Sequence, residues 1–225
     1  MGAVIGGVLP LAVGVAISPI PIIAAILMLL SPQARVTGVG FLLGWVLGIL
    51  VATTAFIALS GSYTEGTGES VAAVGIAQLT LGALLLLLAA RSWRARPAAG
   101  EEAPLPSWMG AIDRFTLPRA LAFGFLMSGV NPKNLLLCAS AGISIGAGAT
   151  DTMPTGTTAV ALVVFTVLAA STVAVPVIAY LAAAERMRGP LDTLRAWLAA
   201  NNALIMAVLL LVLGVEMLGK GLGQL

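Results

Sequence analysis

Histidine is absent from this 225-residue chain, and cysteine occurs once, as Cys138. Without histidine the chain can build neither an imidazole metal site nor an imidazole general base. A single cysteine excludes an intrachain disulfide and a two-cysteine redox relay. The apolar segments contain no nucleotide-binding motif, carboxylate pair or nucleophile–base set. We therefore expect no cofactor, no metal, no direct use of ATP and no enzymatic activity.

Charged residues are also scarce. Only 9% of residues are charged, 60% are hydrophobic, and the mean hydropathy is +1.08. No soluble domain buries so large an apolar fraction of itself, so the composition predicts a polytopic membrane protein of the all-α class. The net charge is +2, but the arginines lie between apolar segments, which indicates membrane topology rather than a nucleic-acid partner.

Six apolar segments reach the length of about 20 residues that a bilayer span requires. They cover residues 3–30, 36–59, 70–90, 120–146, 157–184 and 203–219. All basic residues except Lys133 and Lys220 lie in the first, third and fifth loops. The positive-inside rule therefore places these loops in the cytoplasm and both termini outside.

Polar stretches follow the third and the fifth segments. The first one divides the chain into a three-helix repeat over 1–92, a cytoplasmic linker over 93–119 and a second repeat over 120–225. Apolar residues at helical spacing within the linker predict a short helix lying in the membrane interface. Residues 185–200 predict a second interfacial helix, whose apolar face consists of Leu191, Leu194, Trp197 and Leu198.

A lysine lies inside the fourth apolar segment, in the sequence Ser-Gly-Val-Asn-Pro-Lys-Asn that ends at Asn134. Lys133 follows the helix-breaking Pro132 and has a carboxamide on either side, from Asn131 and Asn134. A charge at this depth costs roughly 2.5–3.5 kcal/mol on insertion scales, so it is a functional-site hypothesis by default. The alternatives are a lysine that snorkels to the interface, and one held by backbone carbonyls only to join helices.

The first segment contains a matching break, Ser18-Pro19-Ile20-Pro21, at a similar depth. Hydrocarbon cannot satisfy the backbone groups that a proline frees, so such breaks lie against protein or a water-filled cavity. Each half opens with a broken helix and has three segments. Because three is an odd number, the second half enters the membrane in the opposite orientation to the first. This pattern predicts an inverted repeat with a substrate site at the midplane, between the two breaks.

The chain resembles the family of sulfolipid- and glycopeptidolipid-addressing membrane proteins in three motifs: the Ser-Pro-x-Pro break, the run Val-Asn-Pro-Lys-Asn-Leu-Leu-Leu and the linker sequence Pro-Ser-Trp-Met. That family is part of the lysine-exporter superfamily. The resemblance covers essentially the whole chain and implies six spans, in two inverted three-helix repeats. It also implies that the protein moves a lipid or small solute outward across the inner (plasma) membrane. The superfamily's amino-acid exporters usually have glycine where this chain has Ile20, which favours the lipid-addressing branch.

Lys133 is the main candidate for substrate binding. In a desolvated cavity it could pair with a phosphate, sulfate or carboxylate headgroup, or carry a proton. Asn131, Asn134 and Ser18 can donate and accept hydrogen bonds around it. Three prolines are expected to expose helix-end amides and carbonyls, which attract ions; they are Pro19, Pro21 and Pro132. Gln78, in the third segment, is a weaker substrate-binding candidate, because an interhelical hydrogen bond explains it equally well.

The leading functional hypothesis is a transporter that exports or flips an anionic cell-envelope lipid, or its precursor, using an ion gradient. One alternative is an exporter of a small amino-acid-like or cationic solute. Another is a non-transporting accessory subunit of a larger lipid-export machinery, in which Lys133 would join helices or dock a partner. The expected partners are the membrane itself, a lipid or small-molecule substrate, and that machinery.

Three glycines recur at four-residue spacing in the second segment: Gly40, Gly44 and Gly48. This spacing places them on one helix face, where another backbone can approach closely. The partner is either a helix of the same chain or the same face of a second copy, in a homodimer.

The predicted topology can be tested by thiol labelling. In a Cys138→Ala background, a single cysteine replacing Glu65 or Asp151 should react with an impermeant thiol reagent added outside intact cells. A cysteine replacing Glu101 should not react, because the third loop is predicted to be cytoplasmic. Labelling of the Glu101 position from outside would overturn the orientation.

Overall fold

The computed structural model describes residues 2–61, 69–96, 107–147 and 156–223, and within these ranges every regular element is a helix. The α-helices are α1 (Gly2–Ala16), α2 (Pro19–Leu30), α3 (Ala34–Gly61), α4 (Glu69–Arg94), α5 (Leu117–Gly129), α6 (Pro132–Ala147) and α7 (Thr157–Leu222). The all-α prediction is confirmed. Of the described helices, α3 and α7 are long and apolar enough to cross a membrane, and α1 with α2 forms a third, bent candidate. Six spans in an inverted repeat remain a prediction.

Both predicted helix breaks are present. The axes of α1 and α2 differ by 54°, with Ile17 and Ser18 between the two helices. The second break lies at Val130 and Asn131, between α5 and α6. In each case a proline is the first residue of the helix after the break, where its missing N–H costs no intrahelical hydrogen bond and its fixed φ suits the helix.

The last third of the chain, α7, consists of two helices joined at a kink, where Ala183 has a non-helical backbone (φ −148°, ψ 56°). The predicted end of the fifth segment near residue 184 agrees with this kink. The helix predicted over 185–200 is present, but it does not end near residue 200: it begins after the Ala183 kink and continues to Leu222. Its apolar face is partly used inside the protein: Leu191 and Leu198 pack in a buried cluster with residues of α2. Burial against α2 therefore fixes this stretch as part of the bundle.

The linker helix is present as a short 3-10 helix, Ser107–Arg114. Its Ile112 is only 1% exposed and belongs to the main buried cluster, with Phe115 packed against that cluster. The side chain of Ile112 thus attaches the linker to the bundle.

The glycine stripe of α3 packs against α5. A Cβ on Gly44 would overlap the Leu121 carbonyl and lie 2.9 Å from the Phe125 nitrogen, so the two backbones touch. Gly124 of α5 faces back in the same way, against the backbone of Phe41. Because α5 already covers the stripe within the chain, the stripe gives no support to a homodimer, which stays a prediction without a structural basis here.

Replacing Gly44 with leucine should destabilise the fold by at least the roughly 1–3 kcal/mol typical of overpacked cores, because the Leu121 backbone cannot move aside like a side chain. Gly219→Leu is the matched control: it is the same substitution in an α-helix, and nothing lies within 4 Å of the added Cβ. Thermal unfolding of the two variants in detergent measures the difference. Equal melting temperatures would show that α3 and α5 do not pack through this face.

Candidate functional site

The two helix breaks meet at Lys133. Its side chain is 6% exposed, and the ammonium donates hydrogen bonds to Gly14 O (2.7 Å), Ile17 O (3.1 Å) and Ser18 Oγ (2.6 Å). Lys133 lies at the start of α6, and all three acceptors lie at the end of α1 or in the break that follows it. An ammonium has three N–H donors, so this geometry uses all of them.

The end of α1 explains why a cation is needed there. The last four carbonyls of a helix have no intrahelical partner, and hydrocarbon offers none. Here every one of them accepts a hydrogen bond. Val13 O accepts from Ile17 N (2.8 Å), and Gly14 O accepts from Lys133 Nζ (2.7 Å). Val15 O accepts from Ser18 Oγ (2.7 Å). Ala16 O accepts from both Ser18 N (2.8 Å) and Thr172 Oγ1 (2.6 Å). The positive charge of Lys133 also complements the negative end of the helix dipole.

Ser18 connects the two breaks. Its hydroxyl donates to Val15 O and accepts from Lys133 Nζ, and Asn134 Oδ1 lies 3.4 Å away. Because the hydroxyl is turned toward α1, it makes no side-chain cap at the start of α2. The Ser18 hydroxyl therefore caps the helix that ends at the break, not the one that begins there.

The expectation that the prolines of the first break expose helix-end amides is corrected. Pro19 and Pro21 are both buried and have no N–H, so they remove two of the donors that a helix N-terminus normally presents. Ile22 N is already bonded to Ser18 O at 3.2 Å. The start of α2 is consequently a poor anion site, and the positive charge of this region comes from Lys133.

At the second break, Asn131 caps α6. Its Oδ1 accepts from Lys133 N at 3.1 Å, the standard N-cap bond to the second helical residue, and Pro132 occupies the first helical position, exposed to the surroundings. Asn134 is 1% exposed and donates from Nδ2 to Met127 O at 3.1 Å, which ties α6 to α5 across the break. Asn131 and Asn134 thus hold the Lys133 backbone in place.

Gln78 is not part of this cluster. It lies on α4, which packs against the last part of α7 through Gly82 and Gly214, and no described contact joins it to Lys133 or Ser18. Its Oε1 is buried without a hydrogen-bond partner among the described residues.

Two contributors to the Lys133 cluster, Gly14 and Thr172, were not predicted from the sequence. A glycine that contributes only a carbonyl carries no sequence signal, and a threonine in an apolar helix usually bonds its own backbone.

Within the described part of the chain, dipoles balance the charge of Lys133. Among the residues that the structure describes, its ammonium makes no ion pair. Glu216, the acidic residue of the last apolar segment, instead pairs with Lys220 at 2.9 Å. The arrangement matches the alternative of a lysine held by carbonyls that joins helices, and it leaves the ammonium no free N–H in this conformation.

Lys133→Met should lower stability, since the Gly14 and Ile17 carbonyls would stay buried without a donor, each at a cost of about 1–3 kcal/mol. Part of that loss is offset by removing a buried cation. Lys220→Met is the control, because it makes the same chemical change at a partly exposed ion pair worth about 0–1 kcal/mol. If Lys133→Met melts no lower than Lys220→Met, the bonds of Lys133 do not support the fold.

Comparison with known proteins adds one finding. A family model described as "Sap, sulfolipid-1-addressing protein" matches residues 8–223. The match includes both helix breaks and every residue of the Lys133 cluster. No curated protein and no solved structure matches the chain significantly.

Proposed function

Because the chain belongs to the sulfolipid-1-addressing (Sap) protein family, we propose that it exports or flips an anionic cell-envelope lipid, or a lipid precursor, across the inner membrane. The family assignment supports a role in lipid-related export, and the apolar helices suit a membrane protein. The proposal includes six spans in two inverted repeats, with both termini outside.

The observation that carries the proposal is the crossing of two broken helices at a buried cation. Broken helices paired in this way form the substrate sites of many transporters. The arrangement described above is then the closed state, in which Lys133 takes its acceptors from α1. An unpaired positive charge in a low-dielectric region attracts an anion more strongly than it would in water.

An anionic headgroup would open this state by competition. A sulfate or phosphate oxygen is negatively charged, so it adds a Coulomb attraction to the ammonium that the neutral carbonyls Gly14 O and Ile17 O cannot supply, and it is the better acceptor for Lys133. Transferring the ammonium to the headgroup would release the end of α1 and let the two breaks separate. Ser18 and Asn134 remain as hydrogen-bonding groups on either side of the released lysine.

One observation favours a second function, that of an accessory subunit in a larger lipid-export machinery. All three N–H groups of Lys133 are used inside the chain, as expected for a residue that only joins helices. The two functions differ in what the protein does alone: a transporter moves lipid by itself, and an accessory subunit does not.

Reconstitution in vesicles tests the proposal. The purified wild-type protein should move a fluorescent anionic lipid between leaflets faster than a zwitterionic lipid with the same chains, and Lys133→Met should abolish that difference. Thr166→Val is the control, because it removes a side-chain hydrogen bond to a helix carbonyl outside the Lys133 cluster but no charge, so it should retain anionic-lipid movement.

Two results would contradict the proposal. Wild-type protein that moves no lipid, with an ion gradient imposed, would favour the accessory subunit. Wild-type rates in Lys133→Met would remove Lys133 from the transport site. Melting temperatures of all three proteins, measured in the same detergent, separate loss of the fold from loss of the charge.

A further inference from the structure

An apolar groove runs between α1 and the last part of α7. Its volume is about 410 Å³, and its lining includes Val13, Ile17, Val208, Val212 and Leu213, with Glu216 as the charged member. Several of these side chains are open to the surroundings: Val208 is 52% and Val212 60% exposed.

The groove lies directly behind the Lys133 site. Ile17, which lines the groove, accepts one hydrogen bond from Lys133 through its carbonyl. Leu213 forms another part of the lining and packs closely over Gly14, whose carbonyl accepts a second. The end of α1 therefore contacts both the apolar groove and the ammonium.

The two ends of the groove differ in charge. Leu198 and Ile205 pack with residues of α2, which follows α1, whereas Leu213, further along α7, packs on Gly14 of α1, so the two helices run antiparallel. Glu216 consequently lies toward the start of α1, about 16 Å from Ile205 at the rise of an α-helix.

The Glu216 end carries no net charge, since Lys220 neutralises the carboxylate at 2.9 Å. At the Ile17 end the nearby charge is that of Lys133, which has no acidic partner in the described part of the chain. The groove thus combines an apolar channel with a single positive charge beside one end.

We propose that this groove holds one acyl chain of an anionic membrane lipid, with the headgroup at the Ile17 end beside Lys133. This inference rests on the proposed function and names its substrate class: a lipid with a hydrocarbon chain and an anionic headgroup, entering sideways between α1 and α7. The apolar lining accounts for the chain, and the dipole-balanced ammonium accounts for the headgroup charge. Ile17 is then the residue that the headgroup must displace to reach Lys133.

Photo-cross-linking in vesicles tests the groove directly. The probes are phosphatidic acid and phosphatidylcholine carrying the same diazirine-labelled acyl chain, and the labelled peptides are identified by mass spectrometry. Peptides of α1 and of residues 205–216 should be labelled roughly five-fold more by phosphatidic acid, the effect that about one lysine has on an anionic lipid. Lys133→Met should abolish this preference, so that the two lipids label the groove peptides equally.

Val212→Trp keeps the test decisive if Lys133→Met folds poorly. The indole should fill the groove and reduce labelling of α1 by both lipids. Val163→Trp is the matched control: Val163 is 57% exposed, close to the 60% of Val212, but lies in the first part of α7 and outside the groove, so labelling should not change. Equal labelling by the two lipids in the wild-type protein, or undiminished labelling in Val212→Trp, would overturn the acyl-chain site.

The cross-linking measures occupancy and requires no transport. Groove labelling by a protein that moves no lipid would overturn the proposed transport function and retain the acyl-chain site. Lipid movement without groove labelling would overturn the acyl-chain site alone.

Discussion

Three hydrogen bonds from one ammonium group connect the two halves of this protein. Lys133 enters from the break between α5 and α6 and caps carbonyls at the end of α1, in a region where lipid could offer them no donor. The same bonds supply the lysine with the acceptors that a buried cation needs. Each break therefore satisfies hydrogen-bonding requirements of the other.

The surrounding helices hold that contact in place. Asn131 and Asn134 fix the start of α6, while Thr172 of α7 bonds to the one α1 carbonyl that also accepts from Ser18 N. Close packing of α3 on α5, through Gly44, positions the second break from the opposite side. In the proposed transport cycle these helices stay packed, and only the bonds of the lysine are exchanged for those of a lipid headgroup.

The sequence predicted both breaks, because each combines proline with polar residues inside an otherwise apolar segment. Proline by itself would not have sufficed, since Pro10, Pro176 and Pro190 lie within helices. It also singled out Lys133, since a charge in an apolar segment is expensive. It did not predict that the lysine would be saturated, because its acceptors are main-chain carbonyls at Gly14 and Ile17, which no side-chain pattern reveals. The helix over residues 185–200 was predicted, but its packing was not, for a related reason: its apolar face resembles that of a membrane-surface helix, and only the partner, α2, shows that part of it is buried.

The most direct test of this account is the distance between the Lys133 ammonium and the Gly14 carbonyl in a lipid bilayer. Solid-state NMR can measure it in protein labelled with 15Nζ-lysine and 13C-carbonyl glycine, because Lys133 and Lys220 are the chain's lysines and Lys220→Met assigns their signals. A hydrogen bond of 2.7 Å to a carbonyl oxygen places the nitrogen no more than about 3.9 Å from the carbonyl carbon. The account predicts a dipolar coupling corresponding to that distance for Lys133. A Lys133 nitrogen without a short contact to any glycine carbonyl would contradict it.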